Sequence, residues 1–189
     1  MVKDTPVHEV ILGKSTAISL LLFVGISLSN SHDIKQLDNM NDFSGKWVLN
    51  LSKSKSFLTE VTSTSPLVIT ISQDKNSVTL LINITVNEGK SIIRTEKYIF
   101  NESIERINTE GDKSTVIICS PAADGQSFTI TEKSQGVYNG VVGESKRISV
   151  YTLGKDGKNL ILKIDYTPHH GSITPEDENH EIRVFDKEF

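Results

Sequence analysis

Between residues 67 and 86 the chain alternates apolar and polar positions in two successive runs, and this constrains the fold more than any other feature. Leu67, Ile69 and Ile71 alternate with Val68, Thr70 and Ser72. Val78, Leu80, Ile82, Ile84 and Val86 then share one side, with Thr79, Asn83 and Thr85 on the other. A period of two places successive side chains on opposite faces of a strand, so each run has one buried and one wetter face. The polar stretch Gln73-Asp74-Lys75-Asn76 between them predicts a tight hairpin.

The same pattern continues down the chain. Asn87-Glu88-Gly89-Lys90 predicts the next turn, and Ser91 to Phe100 the next strand, whose charges Arg94, Glu96 and Lys97 predict one wet face. Ser114 to Cys119 and Ser127 to Glu132 read as shorter strands joined by Pro121-Ala122-Ala123-Asp124-Gly125. Lys146 to Leu153 and Asn159 to Tyr166 form a second hairpin, whose connection Gly154-Lys155-Asp156-Gly157-Lys158 holds an Asp-Gly pair suited to positive φ. Glu181 to Phe185 is the last strand, and Leu51 to Phe57 has room for a single helical turn. About eight to nine short, regularly spaced strands predict an all-β, antiparallel barrel or sandwich in a single domain. An immunoglobulin-like sandwich lacks its paired cysteines around a mid-chain tryptophan.

Ahead of this domain, Ser15 to Leu28 (STAISLLLFVGISL) is apolar, uncharged and preceded by Lys14. A bilayer span needs about 20 residues, so this shorter stretch reads as the hydrophobic region of a secretory signal. Small residues at Ser29 and Ser31 offer cleavage points, although Asp4 and Glu9 in the preceding segment are unusual for a signal. The expected organisation is a signal or hydrophobic segment over 1–31, a polar leader over 32–40 and the β domain over 41–189. The expected location is exported, periplasmic or extracellular, with no stable membrane span after cleavage. No cysteine follows the apolar stretch, which removes a lipid-acylated anchor on chemical grounds.

The formal net charge is −4, from 20 basic and 24 acidic residues, and no basic stripe occurs, so nucleic acid is not an expected partner. The lone Cys119 lies in Val116-Ile117-Ile118-Cys119 and reads as a small buried apolar residue rather than a reactive thiol. His169, His170, Glu176, Asp177, Glu178 and His180 are metal-ligand types within twelve residues. The intervening Pro168, Gly171 and Pro175 mark an irregular loop with no spacing to aim ligands, so a solvated loop is the expectation. His169, His170 and His180 remain the weak metal candidates, and no cofactor is expected. No Gly-x-Ser-x-Gly elbow occurs, and Gly136, Gly140 and Gly143 do not open a helix after a strand. Asp165 and Glu132 are expected to face water. Asn50, Asn83 and Asn101 match the glycosylation acceptor pattern by chance.

The segment Gly45-Lys46-Trp47-Val48-Leu49-Asn50 opens the first strand with Gly-x-Trp, as lipocalins and related calycin barrels do. Its continuation through Lys53-Ser54, together with Gly154-Lys155-Asp156-Gly157-Lys158-Asn159-Leu160 near the end, resembles a group of exported bacterial lipocalin-like proteins. That group has Ser where this chain has Gly154, and no Thr-Asp-x-Tyr motif of true lipocalins occurs in mid-chain. The resemblance implies an up-and-down barrel with one closed and one open end. It also implies that Trp47 plugs the closed end beneath a basic residue of the last strand, Arg183 first and Lys187 second, which would staple the first strand to the last.

In such a barrel Tyr98, Phe100, Phe128, Tyr151 and Tyr166, with Tyr138, are the aromatic residues placed to line a cavity. The inward positions are mostly bulky Ile, Leu and Val, which favours a filled or nearly filled interior. The expected function is a binding module for a small apolar or amphipathic ligand, and the alternative is a filled barrel acting through its surface in the cell envelope. A catalytic role would need a polar cluster at the barrel mouth, such as His169 with His170. The chain is therefore expected not to be an enzyme.

Overall fold

The structure, a computed structural model, describes residues 39–55, 67–85, 90–107, 113–138, 141–167 and 179–189. Residues 1–38, the predicted turn at Asn87–Gly89, His169 and His170 lie outside the described residues. Ten strands follow one another: β1 (Gly45–Leu49), β2 (Leu67–Gln73), β3 (Ser77–Thr85), β4 (Ser91–Ile99), β5 (Ser103–Ile107), β6 (Lys113–Pro121), β7 (Ser127–Tyr138), β8 (Val141–Leu153), β9 (Asn159–Thr167) and β10 (Asn179–Glu188). They make one sheet in the order β4-β3-β2-β1-β10-β9-β8-β7-β6-β5. Every neighbouring pair is antiparallel.

This is a nearly closed up-and-down barrel, the architecture that the lipocalin-like resemblance implies. The first strand pairs with the last, placing Trp47 opposite Lys187 and Leu49 opposite Phe185. Among the described residues, no helix is long and apolar enough to cross a membrane.

Local chemistry explains the turns. In the β2–β3 hairpin the Asp74 carboxylate accepts from the Asn76 amide at 2.8 Å and the Ser77 hydroxyl at 2.7 Å, a side-chain-closed turn. In the β8–β9 hairpin Gly157 has φ +67° and donates to the Gly154 carbonyl at 2.9 Å, as the Asp-Gly pair predicted. The expected helical turn is a short 3-10 turn over Leu51–Lys53. Asn50 caps it, its side chain accepting from the Lys53 amide at 3.2 Å.

Several departures from expectation involve strands: β7 runs past the predicted Glu132 to Tyr138, and β8 begins at Val141 instead of Lys146 because the two pair along that whole extension. A tenth strand is present because Ser103–Ile107 pairs with β6. Its five residues, Ser-Ile-Glu-Arg-Ile, carry too little apolar alternation to announce themselves. The last strand also extends well past the predicted Glu181 to Phe185, because β9 supplies partners from Asn179 onward and β1 up to Glu188.

The core is densest at one end. Phe43, Trp47, Val78, Phe128, Leu160 and Phe185 are almost wholly buried there. Asn39 to Ser44 crosses this end as a plug. The Asn41 amide donates to the Gly125 carbonyl at 2.9 Å, and Gln73 accepts from the Phe43 amide and donates to the Asn41 carbonyl, both at 3.0 Å. Trp47 donates its indole N–H to the Phe43 carbonyl at 3.0 Å. Phe128 sits edge-on to Phe43 at 5.0 Å and stacks on Tyr151 at 4.7 Å between centroids. Gly125 has φ +67°, and a Cβ there would fall 2.1 Å from the Asn39 carbonyl oxygen. The plug thus lies against a position that only glycine fits.

Candidate functional site

The cation over Trp47 is Lys187, its Nζ 5.1 Å from the ring centroid. This corrects the first-ranked expectation of Arg183. The β1–β10 register puts Lys187 directly opposite Trp47, whereas Arg183 lies beyond the end of that ladder and pairs with Leu162 of β9. Gly45 completes the arrangement. Its φ is +147°, and a Cβ there would stand 2.8 Å from Lys187 Cε, so glycine leaves the lysine its path to the indole.

The two segments that carry the lipocalin-like resemblance meet at Asp186. Its carboxylate accepts from Asn50 at 2.6 Å, Lys53 at 2.8 Å and Asn159 at 2.5 Å. Ser54 adds a further tie, donating to the Asn50 carbonyl at 2.6 Å and accepting from the Val184 amide at 2.9 Å. The Lys53 hydrogen bond, followed by that of Asn50, holds the Asp186 carboxyl below the usual carboxylate range. These motif residues fasten strand ends together and do not reach the interior.

Beyond the aromatic plug the interior changes character. A cavity of about 50 Å³ is lined by Leu80, Ile82 and Ile130 on its apolar walls and by Arg94, Glu96, Glu132 and Arg147 among its polar ones. Tyr98, Ser149 and Tyr151 also border it. Arg94 and Glu96 share the inward register of Tyr98, and Glu132 shares that of Phe128 and Ile130. Glu132 therefore faces the interior and not water, and on β4 only Lys97 keeps to the predicted wet face. Alternation along a strand defines two faces; here both carry charge, so it could not say which was inside.

The charges pair both within and across strands. Glu96 forms ion pairs with Arg94 on its own strand and with Arg106 of β5, the latter at 3.6 Å, both through Oε1, which is buried and makes no hydrogen bond. Arg147 of β8 stands 3.9 Å from Glu132 of β7, and Arg183 pairs with Glu181 on β10. Four guanidiniums thus meet three carboxylates. Arg183 Nε is buried and makes no hydrogen bond. Burial pushes the Tyr151 hydroxyl up to about 12, against the pull of Arg147 and Arg183 nearby. Tyr151 therefore stays a hydrogen-bond donor at neutral pH.

The other candidates fall into separate places. Tyr98 and Tyr151 border the cavity, while Phe100 and Phe128 belong to the aromatic plug, 6.4 Å apart. Tyr166 is half-buried near the far end of β9, opposite Arg147. The Tyr138 side chain lies outside the described residues. His180 meets Asp165 at 2.6 Å, both largely exposed as predicted for Asp165. Among the described residues no group of three or more His, Cys, Asp or Glu could hold a metal ion. Cys119 is buried, and burial pushes its thiol up to about 12, the setting of a core residue and not of a nucleophile. A larger open depression of about 560 Å³ lies outside the barrel on β6–β8, bordered by Val116, Ile118, Lys133 and Lys146.

The residues that sequence reasoning missed are Arg94, Glu96, Arg106, Glu132, Arg147 and Glu181. One signal was available: Arg94 and Glu96 have the same parity as Tyr98 and Phe100, so charge and core share a face.

No family model and no curated protein matches the chain. Among solved structures, wild-type fluorescent protein UnaG is similar at 13% identity and a TM-score of 0.48, covering 77% of this chain and 97% of that one. Two single-site variants of UnaG give TM-scores of 0.49 and 0.48 at 13% and 12% identity. The first covers 78% of this chain and 96% of its own, the second 77% and 95%.

Proposed function

We propose that this chain is an exported binding barrel that holds a small amphipathic molecule in the charged half of its interior. One observation carries the reading: Leu80, Ile82 and Ile130 share a chamber with Arg94, Glu96, Glu132, Arg147 and the donors Ser149 and Tyr151. Apolar walls with a few convergent polar groups are the usual lining of a small-molecule site. The chamber is far smaller than the roughly 300–1,000 Å³ of such sites. A ligand therefore needs the half-exposed side chains of Arg94 and Arg147 that border the chamber to move aside. The role is binding rather than catalysis. Export to the periplasm or the extracellular space is supported by the apolar stretch Ser15 to Leu28.

Native mass spectrometry of the full chain, expressed in an export-competent host and purified without added ligand, tests both parts. The expected result is a retained small-molecule mass that disappears on denaturation, on a chain beginning at Asn30 or His32. A clean mass with no uptake from a mixture of lipids and hydrophobic metabolites would favour the second reading, a barrel acting through its surface. That reading has its own support in Val116, Ile118, Val137 and Val142, which are exposed on the outer face of β6–β8.

A further inference from the structure

β4 and β5 are separated only by Phe100, Asn101 and Glu102, yet they form the two edges of the sheet. At the plugged end the main chain closes this seam. The Asn101 amide donates to the Cys119 carbonyl at 2.7 Å, and Phe100 bridges Cys119. Away from that end no ladder joins β4 to β5 among the described residues. Two facing strand edges left unpaired are the weakest line in a sheet that is otherwise hydrogen-bonded throughout.

A side chain spans the line instead. Glu96 of β4 is only 5% exposed, and its carboxylate is contacted by Arg94 of β4 and Arg106 of β5. The two arginines are 59% and 42% exposed, so they run from the buried carboxylate out to solvent. Directly behind Glu96 lies the interior cavity, of which Arg94, Glu96 and Tyr98 form one wall. An approaching molecule meets positive charge first and negative charge only behind it. This arrangement attracts anions and repels cations.

We propose that the β4–β5 seam is the ligand's route into the barrel and that Glu96 is a built-in competitor for the ligand. An organic anion with an apolar body, bearing a carboxylate or sulfonate, takes Arg94 and Arg106 from Glu96 and so releases a side-chain tie across the seam. The inference rests on the binding-barrel reading and adds to it the charge of the ligand and the place where it enters. A neutral ligand of the same shape has nothing to exchange with Glu96 and enters only when the latch opens by itself.

The test uses two fluorescent probes that differ by one anionic group, anilinonaphthalene sulfonate and its uncharged parent phenylnaphthylamine. Uptake by the full chain is followed by stopped-flow fluorescence and equilibrium titration. Glu96→Gln is expected to speed uptake of both probes about tenfold and to tighten only the sulfonate. Arg106→Gln, at a half-exposed edge position, is expected to speed the neutral probe and to weaken the sulfonate about tenfold. Lys97→Gln, on the outward face of the same strand, leaves both probes within twofold of wild type. Circular dichroism checks each fold, and if Glu96→Gln does not fold, Arg106→Gln decides alone. Binding of both probes with rates and affinities unaltered by these substitutions would overturn the latch while leaving a binding barrel. No uptake by wild type or any variant would overturn both.

Discussion

The two ends of the barrel solve opposite problems with the same ladder of strands. At the plugged end Phe43, Trp47, Phe128 and Phe185 exclude water, and each buried polar group described there has a specific partner, as Trp47 has in the Phe43 carbonyl. In the charged half, Arg94, Arg106 and Arg147 remain partly exposed, and Arg183 Nε and Glu96 Oε1 are buried without a hydrogen bond. Packed aromatic contacts are strong because many atoms meet at once. Loosely held ion pairs gain little, because solvent screening and desolvation offset the Coulomb attraction. The plug is therefore where the fold is held, and the exposed, loosely paired arginines Arg106 and Arg147 of the charged half are where groups can be exchanged at small cost to stability.

The sharpest way to break this comparison is to remove one side chain from each end. Phe128→Ala is expected to destabilise the protein by about 3–5 kcal/mol, since it empties the centre of the aromatic cluster. Chemical denaturation measures it. Arg147→Met, with its loose partner Glu132 replaced by Leu, is expected to change stability by no more than about 1 kcal/mol. A loss as large as that of Phe128→Ala would show that the charged half also holds the fold.

A second pair separates backbone strain from crowding within the turns. Gly125 and Gly157 have the same φ of +67°, but an added Cβ at Gly125 strikes Asn39 and one at Gly157 meets nothing within 4 Å. Gly157→Ala is expected to cost about 1 kcal/mol, from the left-handed conformation alone. Gly125→Ala is expected to cost at least about 2–3 kcal/mol and to loosen the Asn39–Ser44 plug. Thermal melts compare the two, and amide exchange at Asn41 reports the plug. Equal costs would mean that the plug yields freely.

A smaller effect tests the outer fastening at Asp186. Its carboxyl is held below the usual range, so its contribution is present above the unfolded-state value and is lost as pH falls through the lower folded value. Asp42 and Asp74 are lowered too, each chiefly by a side-chain hydrogen bond, from Ser44 and Ser77 respectively, and add to the same acid loss. Asp186→Asn is expected to cost about 1 kcal/mol at neutral pH, discounted for solvent screening of a partly exposed group. The variant should lose less stability than wild type between neutral pH and pH 3. Parallel melting curves over that range would remove Asp186 from the fastening. Smallest of all, Lys187→Met is expected to cost about 0.5–1 kcal/mol by losing the cation over Trp47.

Much of the fold was legible before any coordinates. The alternation in β2 and β3 and the Asp-Gly connection before β9 act through near neighbours in the chain. Chain chemistry alone determines such features. The site was far less legible. The tyrosines that border the cavity, Tyr98 and Tyr151, were among the candidates, but Phe100 and Phe128 turned out to be packing, because aromatic residues serve both uses equally well. The charged ring was read as a wet face. Arg94 and Glu96 look like surface residues until Arg106 and the barrel wall close around them.

The sequence by itself determined an all-β chain, the hairpins before β3 and β9 and a buried Cys119, because periodicity, turn propensity and hydrophobicity are local properties, while the anchored Trp47 came from the lipocalin-like resemblance. Only the tertiary structure decided that Lys187 and not Arg183 meets Trp47, that Asp186 joins Asn50, Lys53 and Asn159, and that the unpaired seam falls between β4 and β5. Each of these depends on the register of strands far apart in sequence. A shift of one residue in the β1–β10 ladder would turn every side chain to the other face.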